Sequence, residues 1–151
     1  MKNRTLFMVF TLLGAPGFVI AGNSDLAGSE YNFAVNELSK SSYNQAAIIG
    51  QQGSGNITDV RQGGSKLLSV VSQDGGGNRA KVDQSGTYNL AYIDQAGSGN
   101  DASIKQEAFG NTAVIIQKGS GNRANITQYG TQKTAVVVQR QSQMAIRVIQ
   151  R

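Results

Sequence analysis

The sequence contains no cysteine, no histidine and no tryptophan, and its single proline is Pro16. Without cysteine, neither disulfides nor thiolate metal sites can stabilise the chain. Without histidine or cysteine, the usual activated nucleophiles and their bases are missing. No carboxylate pair recurs in a register that would place it in a cleft, so catalysis is the least supported class. No catalytic, cofactor-binding or metal-binding residue is assigned. Charged residues make up 15% and hydrophobic residues 39% of the chain, which is little with which to order an ordinary apolar core. With 19 glycines and one proline, the composition fits neither a collagen nor a proline-rich linker.

One apolar run stands at the N-terminus. Lys2 and Arg4 precede the apolar stretch Leu6 to Leu13, which Thr11 alone interrupts, and Gly14, Pro16 and Gly17 then break it. Val19-Ile20-Ala21 supplies compact residues before a cleavage point. This order predicts a secretory signal peptide over residues 1–21, too short to span a bilayer, with the exported chain starting at Gly22. Beyond it no segment approaches the roughly 18 apolar residues of a membrane helix. Residues 22–44 carry Asp25, Glu30, Glu37 and Lys40 among scattered apolar residues and read as a flexible or peripheral segment.

From Gln45 onward the chain divides into blocks of 11 with no insertion or deletion, ending in the shorter MAIRVIQR. Position 7 is always glutamine: Gln51, Gln62, Gln73, Gln84, Gln95, Gln106, Gln117, Gln128, Gln139 and Gln150. Position 5 is always branched: Ile49, Val60, Val71, Val82, Ile93, Ile104, Ile115, Ile126, Val137 and Val148. Position 1 is asparagine at Asn56, Asn78, Asn89, Asn100, Asn111 and Asn122. Position 3 is small in nine blocks of ten, and position 9 is glycine at seven places, with Ala108 and Gln141 the exceptions.

Odd positions share one side of an extended strand. The branched residue favours strand, and the Gly/Ser-rich positions 8 to 11 favour a turn. Position 4 reveals a longer period. It is apolar in odd blocks (Ile48, Val70, Tyr92, Val114, Val136) and polar in even ones (Asp59, Lys81, Ser103, Asn125, Arg147). The unit is therefore 22 residues, strand–turn–strand–turn, in five copies: 45–66, 67–88, 89–110, 111–132 and 133–151. Its two strands run oppositely and face each other, which sets the small position 3 of one against the branched position 5 of the other. Inward Asn and Gln cost about 1–3 kcal/mol each if unpaired. Stacking units about 4.8 Å apart lets each amide donate to the equivalent amide one layer away. The predicted fold is all-β, a parallel β-helix-like solenoid with one unit per layer and amyloid-type stacking. The strand pattern runs on to Arg151, leaving a sheet edge there to receive another layer.

The pattern N-x-A-x-I-x-Q-x-G over residues 45–151 resembles that of the curlins, repeat proteins of bacterial surface amyloid fibres called curli. The resemblance implies a secreted chain in a fibre attached at the outer membrane, in cell adhesion and biofilm. It also implies as partners the major curlin subunit, further copies of the chain, and outer-membrane export and anchoring proteins. Of the two curlin kinds, fibre-forming and nucleating, this chain is similar to the nucleating one. Its last unit departs from the pattern, with Gln141 in place of glycine. After Glu107 there is no acidic residue, while Lys118, Arg123, Lys133, Arg140, Arg147 and Arg151 follow. Lys133, Arg140, Arg147 and Arg151 are the candidates for surface retention, with anionic surface lipid as one possible contact. The alternatives are a major structural subunit and a non-polymerising secreted solenoid adhesin.

Weaker signals have simpler readings. Asn56-Ile57-Thr58 and Asn125-Ile126-Thr127 match the glycosylation sequon, but both read as ladder positions. Asp74, Asp83, Asp94 and Asp101 do not recur at one block position, as a calcium solenoid requires. With Arg61, Arg79, Lys81 and Lys105 they read as outward charges that slow premature aggregation. The sequence pI of about 9.7 invites a nucleic-acid reading. Without residues 1–21, however, 12 basic residues face 9 acidic ones, and no recognised binding motif is present.

Overall fold

The computed structural model describes Phe18–Ala21 and residues 44–151. The remainder of the expected signal peptide, residues 1–17, and residues 22–43 of the expected peripheral segment lie outside the described residues. Among the described residues there are eleven strands and no helix.

Two parallel sheets face each other, with strands in the orders β1-β2-β4-β6-β8-β10 and β11-β9-β7-β5-β3. Five coils build them: β2 (Gln45–Ser54) with β3 (Ile57–Ser65), β4 (Leu67–Gly76) with β5 (Arg79–Thr87), β6 (Leu90–Ser98) with β7 (Asp101–Gln106), β8 (Thr112–Ser120) with β9 (Arg123–Gln128), and β10 (Thr134–Gln139) with β11 (Ala145–Gln150). Among β2 to β11, paired residues lie 22 positions apart, as do Val71 and Ile93, and Ile93 and Ile115. Odd blocks form one sheet and even blocks the other, so the outward position-4 alternation of the sequence separates into an apolar outer face and a charged one. β1 (Phe18–Ala21) lies parallel on the free edge of β2, Phe18 opposite Ala46.

The core is a thin column of Ala and Ile/Val at positions 3 and 5 from both sheets, and Ile93, Ile104, Ile115 and Ile126 are fully buried. Val60 and Val148, in the first and last coils, are only partly buried. A terminal layer has a neighbour on one side only. On the outer face of the odd-block sheet, Ile48, Leu68 and Val70 form a second, smaller cluster with Tyr92 and Leu90 against it.

The facing of positions differs from the expectation that position 3 meets position 5. Gln51 Nε2 donates to Thr58 Oγ1 at 3.0 Å, and Gln62 Nε2 to Ser69 Oγ at 3.1 Å. Position 7 therefore faces position 3 of the opposite strand. Residues equidistant from the centre of a chain reversal end opposite one another. This pairs 7 with 3 and 5 with 5, so the long glutamine takes the room left by the small residue.

Both corners of each coil depend on backbone of positive φ. Position 11 adopts it whether glycine or not, as at Gly77 (φ 67), Lys66 (φ 54) and Tyr88 (φ 59). Its N–H donates to the carbonyl of position 10 one coil below, as Gly77 does to Ser54 at 2.9 Å. Position 9 is stricter, because a Cβ on Gly53, Gly75 or Gly97 would fall 1.9–2.0 Å from the carbonyl oxygen of the next coil's glycine. Only glycine permits that approach at these positions.

Candidate assembly interface

What the molecule repeats most often is the contact between one coil and the next, and its polar part is carried by two columns of side chains. The glutamine column is a directional amide ladder. Gln73 Nε2 donates to Gln95 Oε1 at 2.7 Å, Gln95 to Gln117 at 2.8 Å, and Gln117 to Gln139 at 2.8 Å. On the other sheet Gln62, Gln84, Gln106 and Gln128 continue to Gln150 in the same way. From Gln62 to Gln150 each glutamine also reaches across the core to a position-2 carbonyl of the opposite strand, as Gln95 does to Arg79 at 2.9 Å and Gln106 to Leu90 at 2.9 Å. From Gln73 to Gln128 both amide protons are thereby used, which removes the cost of burying the group.

The asparagine column works differently from the expected amide-to-amide ladder. Its Oδ1 accepts the backbone N–H of position 1 in the next coil: Asn100 to Asn78 at 3.1 Å, Asn111 to Asn89 at 2.9 Å, Asn122 to Asn100 at 3.0 Å. Its Nδ2 donates to the position-9 carbonyl 19 residues on, which lies in the next coil for even-block asparagines, as for Asn78 to Gly97 at 3.0 Å, and in the same coil for odd-block ones, as for Asn111 to Gly130 at 2.9 Å. A second Nδ2 bond, such as Asn89 to Ser85 at 2.8 Å, holds its own turn. The shorter side chain cannot span to its equivalent while also pinning a turn, so it splices turn and strand between layers. Asn100 alone adds a bond from its Nδ2 to Asn78 Oδ1, at 3.1 Å.

Several participants were not singled out in the sequence. Gln45 substitutes for asparagine at position 1 and donates to Gly64 at 2.9 Å. Thr58 and Ser69, at the otherwise alanine-rich position 3, bond Gln73 and Gln84 at 2.9 and 2.7 Å. Their block register was the available signal. Of the two sequons, Asn56 lies in the column and donates to Gln52 and Gly75. Asn125 does not: it sits at position 4, facing outward, and accepts a bond from Thr127 Oγ1.

The two outer faces differ in charge. Among the described residues the ion pairs are Asp59–Arg61 at 3.1 Å, Lys105–Glu107 at 2.8 Å and Asp101–Arg123 at 3.7 Å. All lie on the even-block side, and none includes Arg140, Arg147 or Arg151, which are exposed; Lys133 is half-buried. On the odd-block face Asp94 is pushed above the usual carboxylate range by burial, which the nearby Lys118 cation and a bond with Ser72 only partly offset. Asp74, Asp83, Asp94 and Asp101 converge on no common point, and no metal-binding cluster occurs among the described residues.

The fifth coil lacks the features that make the others interchangeable. Its position-1 residues are Lys133 and Met144, its position-9 residue is Gln141, and β10 stops at Gln139, whereas β8 below it runs to Ser120. At the third coil Ala108, with φ 80, likewise stands where glycine is the rule, and β7 ends early at Gln106.

Comparison with known proteins agrees with this geometry. The curlin associated repeat matches residues 56–86, 77–107 and 100–130. The chain is 76% identical over 68 residues to the minor curlin subunit of Escherichia coli K12, covering 45% of each chain. It is 75% identical over 69 residues to the minor curlin subunit of Salmonella typhimurium LT2 and 74% over 69 to that of Salmonella typhi, covering 46% of each chain. The matched segment thus spans about half the length of these relatives. A 22-residue coil, its glutamine ladder and the matching repeats agree: the chain belongs to the curlin family.

Proposed function

We propose that the chain is a secreted minor subunit of a surface amyloid fibre, which nucleates polymerisation of a major curlin-type repeat chain by offering it a preformed coil on which to stack. The observation that carries this reading is the sameness of the interior interfaces. The bonds by which one coil holds the next are those an added coil would make, so an exposed end is a template. Gln51, Gln62 and Gln150 are partly exposed where their inner counterparts are buried, which leaves ladder capacity at the ends. The irregular fifth coil favours the nucleating role over that of the repeating structural subunit, which gains from regular coils throughout.

In this reading the ladder residues Gln51 to Gln150 and Asn56 to Asn122 perform the stacking, the column Ile49 to Val148 supplies the dry core, and no catalytic group is needed. Residues 1–21 direct export. Lys133, Arg140, Arg147 and Arg151 hold the chain at the cell surface, through an outer-membrane anchoring protein or anionic surface lipid. Their support is exposure of three of the four without a carboxylate partner.

The test is a seeding assay. Substoichiometric chain is added to a soluble major curlin-type protein, and amyloid-dye fluorescence is followed. A clearly shortened lag is expected. An unchanged lag, with the chain itself staying monomeric, would favour the solenoid adhesin instead. For retention, a chain lacking residues 133–151 should be released from cells into the medium; undiminished surface retention removes the assignment.

A further inference from the structure

We infer that the template is one face of the molecule only: the edges of β2 and β3 seat the last coil of an incoming curlin-repeat chain, and the outer face of the fifth coil does not. This inference rests on the nucleating role and adds its polarity and the chemistry of the partner. It places the template at the opposite end from the edge after Gln150 that the strand pattern suggests.

The interface between coils is asymmetric. At a regular joint the coil on the N-terminal side supplies the specific side chains: the position-1 asparagines, which accept and of which the even-block one also donates across, the Nε2 donor of the glutamine, and the position-9 glycine, with Leu67 in coil 2 and Ala108 in coil 3 as the single departures there. The coil on the C-terminal side supplies a backbone N–H at position 1, a backbone carbonyl at position 9 and the glutamine Oε1. The first coil, facing an added layer below it, needs only the second set. It has them in the backbone of Gln45, Asn56 and Gly53 and in the amide oxygens of Gln51 and Gln62; the Gly64 carbonyl is already held by Gln45 of the same coil.

The fifth coil, facing a layer above it, would need the first set. Lys133 and Met144 offer no acceptor where asparagine would stand, and Gln141 carries a side chain where the close carbonyl approach requires none. The departure shows one layer earlier. A Cβ on Gly119 would meet Ser142 and Gln141 atoms at 3.1–3.4 Å, whereas Gly97 would meet the Gly119 carbonyl oxygen at 2.0 Å. The position-9 carbonyl above Gly119 has moved away, although the Gln143 N–H still bonds Ser120 at 2.9 Å.

A separate observation marks the same face. β1 lies parallel and in register on the edge of β2, from Phe18 opposite Ala46 to Ala21 opposite Ile49. That edge accepts a parallel strand. Among the described residues, no strand pairs with the outer edge of β10 or β11.

The partner follows from the joint. It is a curlin-repeat chain whose last coil keeps asparagine at position 1 and glycine at position 9. A second copy of this chain would bring Lys133, Met144 and Gln141 to the joint, leaving those bonds unmade.

Because the native chain has no cysteine, a single thiol can be placed at either end, as Asn44→Cys or as a cysteine appended after Arg151. Each is coupled to a globular protein broader than one coil and used to seed a soluble curlin-repeat protein with regular terminal coils. The adduct at 44 should return the lag to its unseeded value, and the adduct after 151 should leave it within about twofold of the unmodified seed. Loss of seeding with the adduct after 151, or no loss with the adduct at 44, overturns the one-faced template while leaving nucleation standing. If the unmodified chain fails to seed, the nucleating role itself falls, and this inference with it. In a second arm, Lys133→Asn, Gln141→Gly and Met144→Asn together should restore seeding to the chain blocked at 44; no restoration counts against the assigned role of those three residues.

Discussion

Single residues in this fold carry costs set by the neighbouring layers. Gln95 is bonded by Gln73, donates to Gln117, and crosses to the Arg79 carbonyl. Gln95→Ala deprives one donor (Gln73 Nε2) and two acceptors (Gln117 Oε1 and the Arg79 carbonyl) of a bond and should cost about 1–3 kcal/mol for each group so stranded, read as a lower denaturant midpoint of the soluble chain. Glycines divide sharply. Gly97→Ala places a Cβ 2.0 Å from the Gly119 carbonyl oxygen at φ 121 and should destabilise by well over about 1 kcal/mol. Gly63→Ala has nothing within 4 Å and no unusual φ, and should leave the midpoint unchanged. Asp94 gives the pH prediction. Burial raises its folded pKa above the unfolded one, so the folded state takes up a proton more readily. Stability from this group is present below the unfolded value and lost as pH rises through the folded value. Thermal melts should therefore gain stability on acidification through that window, and Asp94→Asn should remove this component and raise the neutral-pH midpoint.

At the scale of elements, the true unit is the pair of strands and not the 11-residue block. The odd-block sheet has an outer face with Val70, Tyr92 and Val114, the even-block sheet one with Lys81, Ser103 and Asn125. Removing residues 89–110 should preserve both faces and join Gln73 to Gln117 in the ladder, giving a shorter solenoid that still seeds. Removing only residues 89–99 exchanges the sheets of every later strand and should weaken seeding and lower the melting midpoint. Circular dichroism and the seeding assay on the two deletions distinguish these outcomes. The exchange matters because a side-chain column is stable only beside its own kind: Tyr92 sits with Leu90 and Val70 against the second apolar cluster.

Across the whole molecule, the proposed function divides between two ends. Coil 1 presents an edge with its acceptors ready, while coils 4 and 5 carry only cations among their charged side chains. In the proposed reading, growth from one end and attachment at the other would not compete for surface. Retention through exposed cations should weaken with salt, because the screening length falls from about 10 Å at 0.1 M to about 3 Å at 1 M. Binding of the chain to anionic vesicles should drop several-fold over that range, with neutral vesicles unaffected.

The amino-acid pattern alone determined the period, the five units, the inward columns and the solenoid class. Period-two alternation and a turn at fixed spacing admit few alternatives, and ten glutamines without one shift leave the stacking register no freedom. Tertiary structure decided what each column bonds to. The glutamine and asparagine look equivalent in the sequence, but the longer side chain spans the core and meets its own kind, whereas the shorter one joins backbone to backbone across the layer. It also decided that position 7 faces position 3, and that a turn glycine is indispensable under a neighbouring carbonyl but dispensable at Gly63, because these depend on the distance between chains that no single repeat contains. The polarity of the joint belongs to the same class: it appears only when one coil is seen resting on another.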